Sequence, residues 1–346
     1  MHVDYIIVGL GLAGIAFVEE LKKNGKSCIV YEDNSQNSSL VAGGMYNPVV
    51  LKRFTPVWNA KEQLDVALPF YKNLEKKSNK KYQYPIDIYR IFKSIEEQNN
   101  WFTASDKKML EDFIIPKIIK NTNHYIKAPF DCGKLENTGR IDVNLLAKDY
   151  REYLRKADML KEEQFIYDEI VLKEEAVLYQ NVKADHIVFC EGYGLKVNLF
   201  FNDLPMREAK GELLTIYAPD LKVNYLIKSA VFVLPIGNDL YKVGATFNWK
   251  DKTKLPTEEG KKELELKLSS VINCDYKIVD HTAGIRPTII DRRPLIGIHK
   301  KHKQLAILNG LGTRGVMIAP LMAQKLFQNI ENGKPLEKEI DIKRFE

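Results

Sequence analysis

The sequence predicts an α/β protein in which a Rossmann-type dinucleotide-binding domain is interleaved with a second, α+β domain built on an antiparallel sheet. Three observations predict it. The apolar run Tyr5-Ile-Ile-Val8 passes straight into Gly9-Leu-Gly11-Leu-Ala-Gly14 and then into a helical pattern. A second apolar run over 27–31 ends on Glu32. Residues 204–280 alternate apolar and polar side chains, as an antiparallel sheet with one wet face requires, before the chain returns over 284–332 to apolar strand, glycine and helix.

In chain order, 5–8 and 27–31 are continuous apolar runs, the pattern of strands buried on both faces, with a helix over 15–23 between them. Residues 34–39 read as a polar loop, and Ala42-Gly43-Gly44-Met45 brings small residues close together. From 51 to 137 aromatics, prolines and lysines mix with short elements, among them a helix over 60–77 and a strand over 86–92. Asp142 is placed to cap a helix over 143–156. Short strands follow over 169–172, 176–179 and 186–190. The alternating segment carries turns at Pro219, Gly237-Asn238 and Pro256 and one helix over 257–271. The cofactor domain is therefore expected over 1–50, 138–203 and 281–346, and the substrate domain over 51–137 and 204–280.

A length of 346 residues with 45% hydrophobic content is too long for one ordinary core. A charged fraction of 28% and an aromatic fraction of 10% fit a globular enzyme. The net charge of +6 favours an anionic substrate, small or polymeric, without requiring one. The lysine clusters at 76–81 and 300–303 read as solvated surface and turn. Cys28, Cys132, Cys190 and Cys274 form no CxxC pair and suit a reducing compartment. With no apolar run of 18 residues, a membrane span is not expected, and the cytoplasm is the expected location. No HExxH, no cysteine–histidine cluster, no nucleophile elbow and no Walker loop is present, so metal catalysis is not expected.

The glycines carry the first chemistry. Gly9 permits the tight turn, Gly11 lets the backbone approach a pyrophosphate, and Gly14 lets the helix pack on its strand. The helix start, with Leu12 and Ala13, then presents free N–H groups and a positive dipole end to the phosphates. Glu32, with Asp33 beside it, lies about 20 residues on, where a carboxylate accepts ribose hydroxyls and repels a 2′-phosphate. A second strand runs through Gly310-Leu311-Gly312-Thr313-Arg314-Gly315 into a helix beginning at Val316. In a flavoenzyme such a helix start stabilises negative charge on the reduced ring; a simple terminal βα unit is the alternative.

Together these segments resemble the D-amino-acid-oxidase-type family of FAD enzymes, which includes glycine oxidase and sarcosine oxidase. Ala42-Gly43-Gly44-Met45 resembles the family's small-residue segment beneath the flavin. Ile187 to Gly192 resembles its returning strand with a terminal glycine, and Lys210-Gly-Glu-Leu213 its "RGQ" start. Val243-Gly-Ala-Thr246 resembles "VGAT", and Ala283-Gly-Ile-Arg-Pro287 with Asp291 and Pro294-Leu-Ile-Gly297 resembles "GLRP…D…PiiG". Gly310 to Pro320 is similar to the "GLGSRGL…AP" segment in the FAD domain of the bifunctional tRNA wobble-uridine modification enzyme. The resemblance implies noncovalent FAD, with Ile170 and Gly192 joining the cofactor contacts named above. It implies that Arg286 binds a substrate carboxylate, for which a guanidinium fork is suited. A structural arginine bonding backbone carbonyls is the alternative. Arg314 stands where some relatives carry a second arginine. Phe232, three before Pro235, takes the place of glycine oxidase's active-site aromatic, but lacks the hydroxyl a tyrosine donates. Ile236 stands where that strand has a basic residue, and both departures count against small amino acids as substrates.

The expected activity is oxidation of a C–N bond in an amine or amino acid that carries a carboxylate, with hydride passing to flavin and the imine then hydrolysing. The alternative of the same chemistry is removal of a carboxymethyl group from a modified tRNA wobble uridine, with tRNA as partner. A third class is a flavin-bound scaffold protein, whose mark is loss of groups such as Arg286.

Overall fold

The computed structural model describes residues 1–35 and 38–346. Strands Leu160–Lys161, Cys28–Tyr31, His2–Val8, Val182–Phe189 and Leu305–Asn309 lie side by side, all parallel, with Leu295–Ile298 antiparallel at the edge of the last. Cys28–Tyr31 is buried throughout, as its apolar sequence demands. On the His2–Val8 strand Tyr5 and Ile7 pack toward the helices, while Ile6 and Val8 pack into a separate cluster on the other face. The helices Leu12–Lys23 and Gly315–Asn332 pack on each other on the first side. The second is covered by Ile170–Leu172 and Val177–Tyr179, an antiparallel hairpin joined to the start of Val182–Phe189.

The second sheet has eight strands, in the order Lys277–Arg286, Ala209–Tyr217, Leu240–Gly244, Phe232–Gly237, Leu226–Lys228, Ile88–Ile91, Cys132–Leu135 and Ile114–Ile119. It departs from a purely antiparallel sheet at one place. Leu226–Lys228 pairs parallel with Ile88–Ile91, and this pairing fuses the two separate chain segments into one sheet. Lys277–Arg286 runs through residue 281 without a break and pairs along its length with Ala209–Tyr217, with Arg286 opposite Ala209. The Ala60–Ser78 helix packs Leu64, Ala67 and Tyr71 into the core it shares with Gly315–Asn332, and the Tyr71 hydroxyl donates to the Val316 carbonyl at 2.9 Å. It is an amphipathic helix whose partner is supplied by the cofactor side of the molecule.

Local signals account for the element ends. Asp142 accepts from Leu145 N at 3.1 Å and starts the Val143–Lys156 helix. Thr257 accepts from Gly260 N at 3.0 Å and starts Glu258–Ser269. The expected polar loop over 34–39 ends in a short helical turn, Ser38–Val41, with residues 36 and 37 outside the described set. The helix Ile95–Ser105, capped by Ser94, lies in the segment whose sequence pattern is mixed. Among the described residues, no helix is long and apolar enough to cross a membrane.

Candidate active site

One cavity of ≈ 1060 Å³ runs from the glycine-rich turn to the second sheet. All the residues expected to touch cofactor or substrate line it except Gly14, Ile170 and Gly310. At one end Gly9 has φ +97°, and a Cβ there would sit 2.7 Å from the Cys190 carbonyl oxygen. Gly11 is the N-cap of Leu12–Lys23 and offers no side-chain cap, so the first amides of that helix are left for a ligand. Gly14 lies behind, where a Cβ would strike the Gly9 carbonyl, so it shapes the turn without facing the cavity. Glu32 is buried; its carboxylate accepts from Leu10 N at 2.5 Å and Asn34 N at 2.7 Å, and it lines the cavity beside Asp33.

The middle is formed by Ala42 to Met45 and by the turn before the last helix. Gly44 has φ +66°, and a side chain there would collide with the Ile141 carbonyl. The Gly315–Asn332 helix begins at Arg314 with no side-chain cap, and its start opens on the cavity. Gly310, φ +69°, bends the chain against Ile289 outside the cavity wall. Ile170 sits on the hairpin opposite Tyr179; Phe165 and Tyr167 occupy the wall there instead. Gly192, φ +57°, is fixed by Asn309, whose amide donates to its carbonyl at 3.0 Å.

The other end lies against the second sheet. Arg286 bonds the Lys210 and Thr246 carbonyls at 3.4 and 3.3 Å, lies 4.7 Å from the Phe247 ring centroid, and faces the cavity. Its guanidinium rests on Gly211, where any Cβ would land on it. Gly211 faces the cavity while its neighbours Lys210 and Glu212, by strand alternation, point the other way. There the Lys210 ammonium meets Asp251 at 2.5 Å and Glu212 at 3.5 Å, and His281 meets Glu212 at 2.8 Å. Arg286 has no such partner: among the described residues no carboxylate pairs with it, and burial pushes its pKa down to about 10. Arg314 is likewise without a carboxylate, and burial followed by Arg292 lowers its pKa. Phe232 is buried, its ring 3.6 Å from where a Gly43 Cβ would stand. The arrangement brings the uncapped start of a helix, a buried acid and a guanidinium without a carboxylate partner among the described residues into one continuous space.

The family model described as FAD dependent oxidoreductase matches residues 4–328. The chain belongs to this family. This FAD-dependent oxidoreductase is 22% identical over 367 residues to glycine oxidase of Bacillus licheniformis, covering 97% of this chain and 95% of that protein. It is 25% identical over 211 residues to glycine oxidase of Bacillus subtilis (strain 168), spanning 57% of that protein's length. A shorter match, 25% over 193 residues, covers 46% of this chain and 27% of the tRNA 5-methylaminomethyl-2-thiouridine biosynthesis bifunctional protein of Pseudoalteromonas atlantica (strain T6c / ATCC BAA-1087). The fold superimposes on the crystal structure of glycine oxidase from Geobacillus kaustophilus with a TM-score of 0.81 at 17% identity, over 97% of this chain and 96% of that one.

Several residues of the oxidoreductase cavity are given no role by the sequence. Glu191 lies two residues beyond the Val182–Phe189 strand, accepts from Asn198 Nδ2 at 2.7 Å and from the Tyr167 hydroxyl, and burial raises its pKa to about 7. Lys228 ends the short strand Leu226–Lys228, and Phe247 is exposed at the mouth. The only trace of Lys228 is a cation closing an apolar run. Cys190 is buried, and burial pushes its thiol pKa well up. Among the described residues no group of three or more His, Cys, Asp or Glu side chains is placed to hold a metal ion.

Proposed function

We propose that this enzyme oxidises the C–N bond of an amine or amino acid that carries a carboxylate. The observation that carries the reading is Arg286, a cavity-facing guanidinium with no carboxylate partner among the described residues. A buried cation without a counter-ion is costly unless a ligand supplies one. We assign the first amides of Leu12–Lys23 to the FAD pyrophosphate and Glu32 to a ribose. The start of Gly315–Asn332, with Leu311 to Val316, is assigned to the flavin ring. When bound, FAD would supply the acceptor for the hydride of the substrate α C–H, which carries both electrons of the oxidation. The residues' share is positioning. Arg286 orients the substrate through its carboxylate, Phe232 and Met45 press an apolar wall against the reacting carbon, and the imine product leaves to hydrolyse with water. Arg286 and Arg314, cavity-lining cations without a carboxylate partner among the described residues, argue against a flavin-bound scaffold. Four buried thiols, with no disulfide among the described residues, support a cytoplasmic location.

One observation favours the second reading, removal of a carboxymethyl group from a tRNA wobble uridine. A neighbouring cleft of ≈ 500 Å³ is lined by Lys52, Arg53, Lys93 and Lys107, against Glu96 and Glu97, and shares Lys52 with the main cavity. A basic track at the mouth suits a polyanion.

Anaerobic flavin reduction tests the first reading. With the true substrate, Arg286→Leu is expected to keep its FAD and lose roughly 10²–10³-fold in kcat/KM. Arg286→Lys recovers only part, since an ammonium lacks the bidentate fork. Wild-type reduction kinetics in Arg286→Leu, or a defect explained by lost FAD alone, overturns it. Reduction by carboxymethylaminomethyl-uridine RNA but by no small amine selects the second reading.

A further inference from the structure

The substrate end of the cavity holds another cation, which the carboxylate reading leaves without a task. Lys228 closes the strand Leu226–Lys228 and lines the same cavity as Arg286. Strand register relates the two. Lys228 lies opposite Phe232, Phe232 opposite Gly244, and Gly244 opposite Leu213. Directly opposed residues point to the same face of a sheet, so Lys228, Phe232 and Leu213 form one row along the cavity wall. Gly211, on which the Arg286 guanidinium rests, is two residues from Leu213 on the same strand and faces the same way. The strands bearing Gly211 and Lys228 are three spacings apart, roughly 14 Å, and both cationic side chains reach inward across that gap. The wall between them is apolar, made by Leu213, Phe232 and Leu226.

Lys228 has the surroundings of an anchor awaiting an anion. Among the described residues its ammonium has no carboxylate partner and no hydrogen-bond acceptor; it lies over the Phe232 ring, 5.8 Å from the ring centroid. The charged groups that bear on it are all cations, Arg90, Lys267 and Lys93, and burial together with them pushes its pKa down to about 8. Lys210 on the same sheet shows what a structural lysine looks like. It is fully buried and saturated by Asp251, Thr253, Glu212 and the Leu255 carbonyl. Lys210 faces away from the cavity and completes the fold; Lys228 faces into it and is left incomplete. An anionic group arriving beside Lys228 would restore both its solvation and its charge balance.

We propose that Lys228 binds a second anionic group of the substrate, so that this enzyme takes amines carrying two carboxylates separated by an apolar spacer. Arg286 holds the carboxylate next to the reacting carbon and Lys228 holds the distal one. The proposal rests on the reading of Arg286 given above.

The test is calorimetric titration of the FAD-loaded enzyme with butyrate and with the dicarboxylates succinate, glutarate, adipate and pimelate. Wild-type enzyme is expected to bind the dicarboxylate of best-fitting length at least about tenfold more tightly than butyrate, the gain of one added charged contact. In Lys228→Met that ratio falls to about one. Lys228→Glu inverts the preference, so that 6-aminohexanoate binds better than adipate, a gain that misfolding does not produce. The proposal is overturned if the wild-type enzyme shows no preference for any dicarboxylate, or if the preference survives in Lys228→Met. The two readings fail differently. Butyrate binding that Arg286→Leu abolishes, without any dicarboxylate preference, leaves Arg286 in place and removes Lys228. Butyrate binding that is indifferent to Arg286→Leu removes the Arg286 reading itself.

Discussion

The two ends of the cavity are built from different material. At the end beside the glycine-rich turn the wall is backbone: glycines at close approach, a helix start without a side-chain cap, and Glu32, whose carboxylate is already held by two amides. At the substrate end the wall is side chain, contributed by separate strands of a mixed sheet, with Arg286 and Lys228 lacking carboxylate partners among the described residues. A backbone cradle tolerates no variation in where its glycines fall. Side-chain anchors need only be delivered to a place, and another strand can deliver them. The first end is therefore constrained by backbone geometry, and the second by which side chains its strands deliver.

The sharpest way to break this contrast is to add atoms to the cradle. Gly14→Ala would normally gain stability in a helix. Here its Cβ drives into the Gly9 carbonyl, and Gly9 is itself backed against the Cys190 carbonyl, so neither backbone has room to yield. We expect a loss of more than about 4 kcal/mol, a fall in Tm of roughly 10 °C or more and little recoverable flavoprotein. Gly11→Val is the counterpart. Gly11 has an ordinary φ of −78°, and the nearest atom to its Cβ is Ser39 Oγ at 3.4 Å. The apoprotein should keep its Tm within about 2 °C and lose FAD, because the valine fills the space left for the pyrophosphate. Lys80→Ala, which removes a half-exposed ion pair with Asp149, serves as the control and should change stability by less than about 1 kcal/mol with full flavin. Full FAD occupancy in Gly11→Val means the phosphates bind elsewhere.

The same contrast explains what could be read from the sequence. Gly9, Gly11, Gly14 and Glu32 announce themselves because a strand–turn–helix fixes their spacing within one short stretch of chain. Arg286 was legible only through its family block, and Phe232 only through the proline three residues on. Lys228 leaves only a cation at the end of an apolar run, which assigns it no place in the site. Its place depends on the parallel pairing of Leu226–Lys228 with Ile88–Ile91, a long-range event that no local pattern encodes. Ile170 illustrates the reverse. Its strand was foreseen, but Ile170 does not line the cavity, and Phe165 and Tyr167, from the segment just before the strand, line it instead. The expected boundary at 281 cuts the Lys277–Arg286 strand, because its Gly284-Ile-Arg-Pro287 end reads with the cofactor domain, yet the strand pairs along its whole length with the second sheet.

Glu191 sharpens the comparison, since it is a side chain intruding on the backbone-built part. Burial raises its pKa from 4.5 to about 7 despite bonds from Tyr167 and Asn198, and Asp33 adds to the rise. A carboxylic acid with a raised folded-state pKa favours folding below its unfolded pKa, and that stability is lost as pH climbs toward 7. Above pH 7 the protein carries a buried carboxylate. Glu191→Gln keeps the shape and cannot ionise. Its Tm advantage over wild type should be absent near pH 4.5, grow through pH 5–7 and level off above, at on the order of 3 kcal/mol. A constant difference across that range would mean that Glu191 does not titrate there.

The smallest expected effect falls on the seat of Arg286. A Cβ at Gly211 lands on the guanidinium, but the obstacle is the far end of a flexible side chain, so the strand pairing of Ala209–Tyr217 survives and the arginine moves. Moving it breaks the bonds to the Lys210 and Thr246 carbonyls, both already long at 3.4 and 3.3 Å, and its stacking on Phe247. Long hydrogen bonds stabilise little, so Gly211→Ala should lower stability by only about 1 kcal/mol and leave FAD content unchanged. What changes is the aim of the fork at the substrate. Carboxylate affinity should drop about tenfold, near 1.4 kcal/mol, because a misplaced guanidinium keeps its charge and loses its bidentate geometry. Gly211→Ala thus belongs between wild type and Arg286→Leu, on the same side as Arg286→Lys. Titrating butyrate into all four proteins checks the order. If Gly211→Ala binds butyrate as wild type does, the carboxylate is held by something other than the guanidinium resting on Gly211. If it loses flavin, Gly211 belongs to the backbone-built end after all, and the division of the cavity falls.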